Sequence, residues 1–204
     1  MIKSILFDFG GVIYQHPKEV IPEVLSRIYR QPVEITIKEY GKYIDDYFTG
    51  RLSTEKLINS LSTTFGTNKT VKEVKNLWMK YYSELAKPNK EVLEIIKDLH
   101  TKYKVFLFSN TTEMSNNHNS KTGLYDYFDD LFLSYRLGMK KPDQQIYRKT
   151  ISLIGCKAEE CVFIDDEIKN LEPAEKMGMK TILFNVLIDL PSELKVKLRK
   201  LGCL

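Results

Sequence analysis

Two apolar runs, far apart in the chain, both stop on aspartate. Ile5-Leu6-Phe7 runs into Asp8, and Cys161-Val162-Phe163-Ile164 runs into Asp165-Asp166. Short apolar runs closed by turn residues are the pattern of buried strands. In an open parallel sheet, ligands bind beyond the carboxyl ends of the strands. A carboxylate on two such ends is therefore a candidate metal or nucleophile site, and it demands a fold in which those ends are neighbours. The rest of the chain from about Leu85 supplies one. Val92, Ile95, Ile96 and Leu99 form the i, i+3, i+4, i+7 stripe of an amphipathic helix over Asn89 to about Lys102. Lys104 to Phe108 is a strand ending at Ser109-Asn110, and Leu131 to Ser134 is a further short one. Pro142 suits the first turn of a helix that Gly155 ends. Leu171 to Met177 reads as a helix stopped by Gly178, Thr181 to Phe184 as a strand, and Pro191 as the opening of a terminal basic helix. Alternating strands and helices predict an α/β fold with a parallel sheet covered on both faces.

Between roughly Gln15 and Leu85 the alternation stops and only helical patterns remain. They cover Glu19 to Tyr29, Ile37 to Phe48, and Glu55 to Phe65 with Ser53 or Thr54 as N-cap. A fourth opens on Thr70-Val71-Lys72-Glu73, a capping-box pattern, and continues through Leu77, Trp78 and Tyr81. Such a segment is expected to form a small bundle beside the sheet. The Asn- and Ser-rich stretch from Ser115 to Thr122 reads as a loop, and there is no internal repeat.

The composition excludes several classes. At 204 residues, with 43% hydrophobic and 28% charged residues, the chain is sized for one core with a modest insert. No apolar stretch approaches the roughly 18 residues that span a bilayer. The start, Met1-Ile2-Lys3-Ser4, leads into a strand without the apolar core of a signal peptide, so the expected compartment is the cytoplasm. Cys156, Cys161 and Cys203 are odd in number and form no CxxC pair; two buried thiols and one tail thiol are expected. The net charge of +4 suits an anionic metabolite, and no basic stripe with interleaved aromatics points to nucleic acid.

Four strand ends or the loops beyond them offer, in order, Asp8, Ser109-Asn110, Lys140-Lys141-Pro142 and Asp165-Asp166. Gathered in one pocket, three carboxylates repel one another, and some stay protonated unless a cation is present. A hard ion such as Mg²⁺, which prefers oxygen ligands, relieves that repulsion. A lysine, a serine hydroxyl and backbone N–H groups then suit a phosphoryl group, and an ionised aspartate can attack phosphorus to give an aspartyl-phosphate.

The segments Phe7-Asp8-Phe9-Gly10-Gly11-Val12, Leu107-Phe108-Ser109-Asn110-Thr111, Gly138-Met139-Lys140-Lys141-Pro142-Asp143 and Phe163-Ile164-Asp165-Asp166 resemble, in order, the four motifs of the haloacid dehalogenase-like (HAD) hydrolase superfamily. The resemblance implies a three-layer sandwich with a Rossmann-like parallel sheet and an inserted α-helical cap. The core would comprise residues 1–15 and 86–204, and a four-helix cap residues 16–85. It implies Asp8 as nucleophile and direct metal ligand, with the backbone carbonyl of Gly10 as a further ligand. Ser109, with the backbone around Asn110, would hold the phosphoryl oxygens. Lys141 would neutralise nucleophile and transferring group. Asp166 would be the direct metal ligand of its pair, Asp165 would lie in or near the next shell, and Asn170 would support that loop.

Position 10 departs from the pattern, since most phosphatases of the family carry a second aspartate there, which protonates the leaving group and then activates water. Loss of a general acid–base costs about 10²- to 10⁴-fold, or roughly 3 to 5.5 kcal/mol. Leaving groups that need little protonation tolerate it best, such as anomeric sugar, acyl and aryl phosphates. Leu137-Gly138-Met139-Lys140-Lys141-Pro142 also resembles a phosphatase branch that begins Asp-x-Gly and includes sugar-1-phosphate phosphatases. The expected function is a Mg²⁺-dependent phosphomonoesterase acting on a small phosphorylated metabolite through an aspartyl-phosphate, with neither nucleic acid nor membrane as partner. The competing readings are a binding or regulatory protein with little turnover and a 2-haloacid dehalogenase, whose chemistry needs no metal. His16 is a candidate to replace the missing acid, against the plainer reading of a polar residue at a loop mouth. Lys140, Arg136, His100 and His118 read as surface groups. Tyr40, Tyr43, Tyr47 and Phe48 read as packing of the helical segment, with one tyrosine able to face a substrate.

Overall fold

A computed structural model describes residues 1–204. The strands are β1 (Ser4–Phe7), β2 (Tyr14–Gln15), β3 (Lys87–Pro88), β4 (Lys104–Ser109), β5 (Asp130–Leu133), β6 (Cys161–Asp165) and β7 (Lys180–Leu183). The helices are α1 (Val20–Tyr29), α2 (Val33–Gly41), α3 (Ile44–Phe48), α4 (Thr54–Thr64), α5 (Val71–Leu85), α6 (Lys90–His100), α7 (Glu113–Asn119), α8 (Ser134–Leu137), α9 (Gln144–Ile154), α10 (Ile168–Lys176) and α11 (Pro191–Lys200).

The apolar runs pair as one five-stranded parallel sheet in the order β5-β4-β1-β6-β7. Because β1 is central, its end is flanked by the ends of β4 and β6. Phe7 lies opposite Leu107 on one side and Ile164 on the other. The next residues, Asp8, Phe108 and Asp165, therefore fall level with each other.

Alternate strand residues face opposite sides, and each side has its own apolar cluster. Leu6, Phe106, Phe108 and Phe163 pack with Ile146 and Tyr147 of α9 and Leu171 and Ala174 of α10. Ile5, Phe7, Val105, Leu107, Val162 and Ile164 belong to a larger cluster on the other side. That cluster takes in the buried stripe of α6 and Leu194 and Leu198 of α11, and it continues into α1, α4 and α5. Helix, sheet and helix form the three layers.

The segment between β2 and β3 is all helical, but with five helices rather than four. The expected helix over Ile37 to Phe48 is two, parted at Lys42-Tyr43 after Gly41. Glycine is a poor helix former, and the break lets Tyr40 and Tyr47 enter one core, edge-to-face with centroids 6.4 Å apart. Tyr47 meets Trp78 of α5 in the same way, also at 6.4 Å. Ser53 and Thr70 cap α4 and α5 with the expected side-chain bonds, the latter as a full capping box. β2 and β3 form a two-stranded antiparallel ribbon where the chain leaves and re-enters the layered core, and Asn89 N–H donates to Ile13 O at 2.8 Å beside it. At two residues each, these strands are too short to be read as a pattern.

Three further expectations are corrected. The Ser115 to Thr122 stretch is mostly helix, α7, with Thr112 accepting from Ser115 N–H as N-cap. Its Met114, Ser115, Asn116 and Asn119 are buried against neighbouring elements, so tertiary packing outweighs the weak helix propensity of asparagine. Pro142 lies outside α9, which begins after Asp143, the N-cap whose carboxylate accepts from Gln145 N–H. Cys203, expected as a tail thiol, is buried. No helix is long and apolar enough to cross a membrane.

The helical segment touches the core tightly at one glycine. Gly50, after α3, has φ +70°, and a Cβ there would collide with the carbonyl oxygen of Tyr135 in α8. Lys140 pairs with Asp45 of α3 across the same junction. Gly50→Ala is expected to cost about 1–2 kcal/mol for the left-handed backbone alone, with more from the collision. Thermal unfolding should show a lowered Tm, whereas Gly66→Ala, also left-handed but in open space, should lose only the backbone part.

Candidate active site

Parallel register brings the sequence-predicted residues together at the carboxyl edge of the sheet. Asp8 follows β1, and its N–H donates to Ile164 O at 2.8 Å, which locks it beside the end of β6. Carboxylate oxygens of Asp8, Asp165 and Asp166 lie within 4.8 Å of one another. Ser109 ends β4 and is buried. Lys141 reaches in from the loop before α9 with its side chain only 1% exposed.

The Lys141 ammonium sits between two aspartates. Nζ donates to Asp165 Oδ2 at 2.6 Å and to Phe108 O at 3.1 Å. It lies 2.8 Å from Asp8 Oδ1, close enough for an ion pair but without the direction of a hydrogen bond, so that buried oxygen has open lone pairs. Below, the rings of Phe108 and Phe163 have their centroids 5.3 and 5.1 Å from Nζ, within cation–π range. Burial pulls the Lys141 pKa down, but Asp165 and Asp8 outweigh it, and the net shift is upward. Lysine is therefore charged in this pocket.

Asn110 holds that lysine in place. Its Nδ2 donates to Lys141 O, and its Oδ1 accepts from Lys141 N–H, both at 2.8 Å. Both polar ends of its side chain are therefore occupied, and the phosphoryl contact expected here concerns the backbone around Asn110. The Ser109 hydroxyl makes only a 3.5 Å contact to Asn110 O and is free for a stronger partner.

The acidic pair divides by its partners. Asp165 accepts from Lys141, from Glu167 N–H at 2.9 Å, and from Asn170 Nδ2 at 3.0 and 3.3 Å on its two oxygens. A carboxylate has about four acceptor positions, so Asp165 is saturated. Asp166 has one long contact, 3.5 Å from Asn185 Nδ2. Burial first, then the Asp8 and Asp165 charges, push Asp166 up to about 7. Burial, with Asp165, pushes Asp8 up to about 6 even against the pull of Lys141. Asp8 and Asp166 are thus under-neutralised carboxylates with unused oxygen lone pairs. The all-oxygen donor set, with three carboxylates against one ammonium, fits a hard divalent cation. Gly11, with φ +75°, passes so close to Asp166 that a Cβ would strike its carboxylate.

Asp8, Ser109, Lys141 and Asp166 line a cavity of about 430 Å³ between the sheet edge and the helical segment, and Gly10, Asn110 and Asn170 line it too, whereas Asp165 is fully buried behind it. Tyr40 and Phe48 reach it from the helical segment, together with Val20, Ile21, Ile44 and Tyr82, while Tyr43 and Tyr47 do not. Thr111, Thr112 and Asn185 also line it and were missed in the sequence. Asn185 had a signal: it follows the apolar run Thr181 to Phe184, a fifth strand end. His16, half-buried, also lines the cavity. Its Nδ1 is 2.8 Å from Pro17 O, and burial lowers its pKa. A Cβ on Gly10 would come within 2.6 Å of His16 Nε2. His100 pairs with Asp129 at 3.0 Å, and His118 packs edge-on to Tyr82, its ring 5.4 Å away.

A model of the haloacid dehalogenase-like hydrolase family matches residues 2–178. D-ribitol-5-phosphate phosphatase of Bacteroides thetaiotaomicron is 28% identical over 190 residues, covering 89% of this chain and 91% of its own. Glyceraldehyde 3-phosphate phosphatase of Methanocaldococcus jannaschii is 26% identical over 203 residues, with 89% and 84% covered. A crystal structure of a HAD family enzyme of Bacteroides thetaiotaomicron, in complex with magnesium and inorganic phosphate, superposes with a TM-score of 0.81. It is 25% identical, with 95% of this chain and 99% of that chain covered.

The raised carboxyls make cation-free stability depend on pH. Folded Asp8 and Asp166 titrate above their ordinary value of 3.8, so the folded state holds more protons than the unfolded state between about pH 4 and 7. Stability then falls as pH rises through that window. In chelator, Tm should be lower at pH 8 than at pH 5. Mg²⁺ should restore it at pH 8, by about 2.7 kcal/mol at a hundredfold excess over Kd, and have little effect at pH 5. Asp166→Asn should flatten the pH dependence and remove the response to Mg²⁺.

Proposed function

The chain belongs to the haloacid dehalogenase-like hydrolases, and on that premise we propose that it is a Mg²⁺-dependent phosphomonoesterase for a small phosphorylated metabolite. The observation that carries this is the division of charge at the sheet edge. Lys141 and the loop satisfy Asp165, while Asp8, which shares that ammonium, and Asp166, which has none, present buried or half-buried oxygens short of counter-charge. Asp8 and Asp166 are the residues that would hold the ion, which when bound supplies positive charge to the carboxylates and to a phosphoryl oxygen.

An Asp8 carboxylate oxygen attacks phosphorus as the bond to the leaving oxygen breaks, and that oxygen departs with the electron pair. Lys141 holds Asp8 in place and supplies positive charge beside the transferring group. The free Ser109 hydroxyl donates to a phosphoryl oxygen. Water then attacks the aspartyl-phosphate at phosphorus, releasing phosphate and restoring Asp8. Residues 16–85 act as the cap: their apolar and aromatic side chains exclude water around the phosphoryl group and contact the leaving group. With glycine at position 10, leaving groups that depart with little protonation are favoured; the phosphatases similar to this chain are named for primary alkyl phosphates, so they support a small phosphorylated metabolite but not that choice of leaving group. The free thiols are consistent with a reducing, cytoplasmic compartment.

A binding protein with the same fold has no need for a buried cluster of this cost, and metal-free dehalogenation makes no use of Asp166. Both readings are separated by one screen of aryl, acyl and sugar phosphates with Mg²⁺. Phosphate release should depend on Mg²⁺ and fall at least about 10³-fold in Asp8→Asn. Release that survives Asp8→Asn would overturn the nucleophile. Silence toward every phosphate supports a binding protein, and metal-free halide release supports a dehalogenase.

A further inference from the structure

We propose that His16 is the base that activates water for hydrolysis of the aspartyl-phosphate on Asp8. This rests on the phosphatase reading above and adds the residue that reading leaves out. A carbonyl oxygen can only accept, so the contact between His16 Nδ1 and Pro17 O at 2.8 Å places the ring proton on Nδ1. Nε2 therefore carries the lone pair. That nitrogen occupies the space a side chain on Gly10 would enter, since a Cβ there would come within 2.6 Å of it. His16 lines the same cavity as Asp8, Ser109, Lys141 and Asp166, so an acceptor is available where position 10 offers none.

Its place in the fold gives it the correct side. Asp8 stands on the sheet edge, the floor of the cavity, whereas His16 directly follows β2 where the chain leaves the core for the helical segment. In-line displacement puts the leaving oxygen, and later the incoming water, opposite Asp8, toward that segment. Of the other ionisable side chains entering there, Lys18 is a donor, the Tyr40 and Tyr82 hydroxyls are held protonated by burial, and Glu19, at the N-cap of α1, is the remaining base. In the hydrolytic step a water oxygen bonds to phosphorus, the bond from phosphorus to the Asp8 oxygen breaks with its electron pair returning to the carboxylate, and the water proton passes to Nε2. Solvent then takes that proton. In the first step a neutral imidazole donates nothing from Nε2, which is why the preference for weakly basic leaving groups persists beside it.

The test is pre-steady-state release of phenolate from a series of aryl phosphates, with Mg²⁺, by wild-type protein and His16→Ala. Loss of the base should slow only the second step. His16→Ala should give a burst of one phenolate per site, then a steady rate lower by about 10²- to 10⁴-fold and equal for all the aryl groups. Acid-quenched protein should retain covalent phosphate, and added imidazole should accelerate the steady phase. Gly10→Asp placed on His16→Ala, where the clash with the ring is gone, should restore turnover. His16→Gln, which can still donate to Pro17 O, tests the same point should the alanine variant unfold. A variant that turns over like wild type, or one slowed without burst or trapped phosphate, overturns the proposal. So does the burst appearing in Glu19→Gln instead. Wild-type protein inert toward aryl, acyl and sugar phosphates alike overturns the phosphatase reading itself; if only the aryl esters fail, trapped covalent phosphate and imidazole rescue are read with whichever acyl or sugar phosphate it cleaves.

Discussion

Everything at the sheet edge depends on one buried ammonium. Lys141 brings a full positive charge to a place where three carboxylates meet, and without it Asp165 would be a buried anion with only neutral donors. An unpaired buried charge costs several kcal/mol; here the lysine contacts two carboxylates and a backbone carbonyl and lies near two aromatic rings. Asn110 clamps its backbone from both ends, so the loop before α9 delivers it to a defined point. The consequence is an intentional shortfall: one ammonium cannot neutralise three aspartates. Asp165 takes most of what it offers, and Asp8 and Asp166 remain short of positive charge, with their pKa values raised accordingly.

That shortfall links stability to function. A site short of positive charge gains stability from a cation, and that same positive charge offsets the repulsion an anionic group would meet from the carboxylates. The helical segment sets the dielectric in which this occurs. Val20, Ile21, Tyr40 and Phe48 face the charged floor across the cavity, so a phosphoryl group held there is shielded from much of the bulk water. The close approach at Gly50 and the Lys140–Asp45 pair join the helical segment to the layered core.

The layered fold was legible because its signal is periodicity. Strand runs ending on Asp8, Ser109 and Asp165 imply a parallel sheet wherever helices intervene, and the stripe on α6 is equally plain. Local chemistry was legible as well: the capping box at Thr70 and the N-cap at Ser53 are formed as their residues suggest. The misses share another cause. The two-residue ribbon of β2 and β3 carries no pattern, the asparagines of α7 are helical because their environment buries them, and Gly41 breaks a run whose apolar spacing alone looks continuous.

The order of residues along the chain determined which groups could form the site, since a parallel sheet with these connections places the ends of β1, β4 and β6 side by side. It also determined that position 10 carries no acid. Only the tertiary structure supplied the physical difference between Asp165, saturated by its partners, and Asp166, left open, and the two bonds by which the Asn110 side chain braces the lysine loop. It also brought His16 to the empty side of Gly10. Those outcomes depend on where hydrogen-bond donors and side-chain volumes fall in space. Spacing along the chain carries no information about which of two adjacent carboxylates is already saturated.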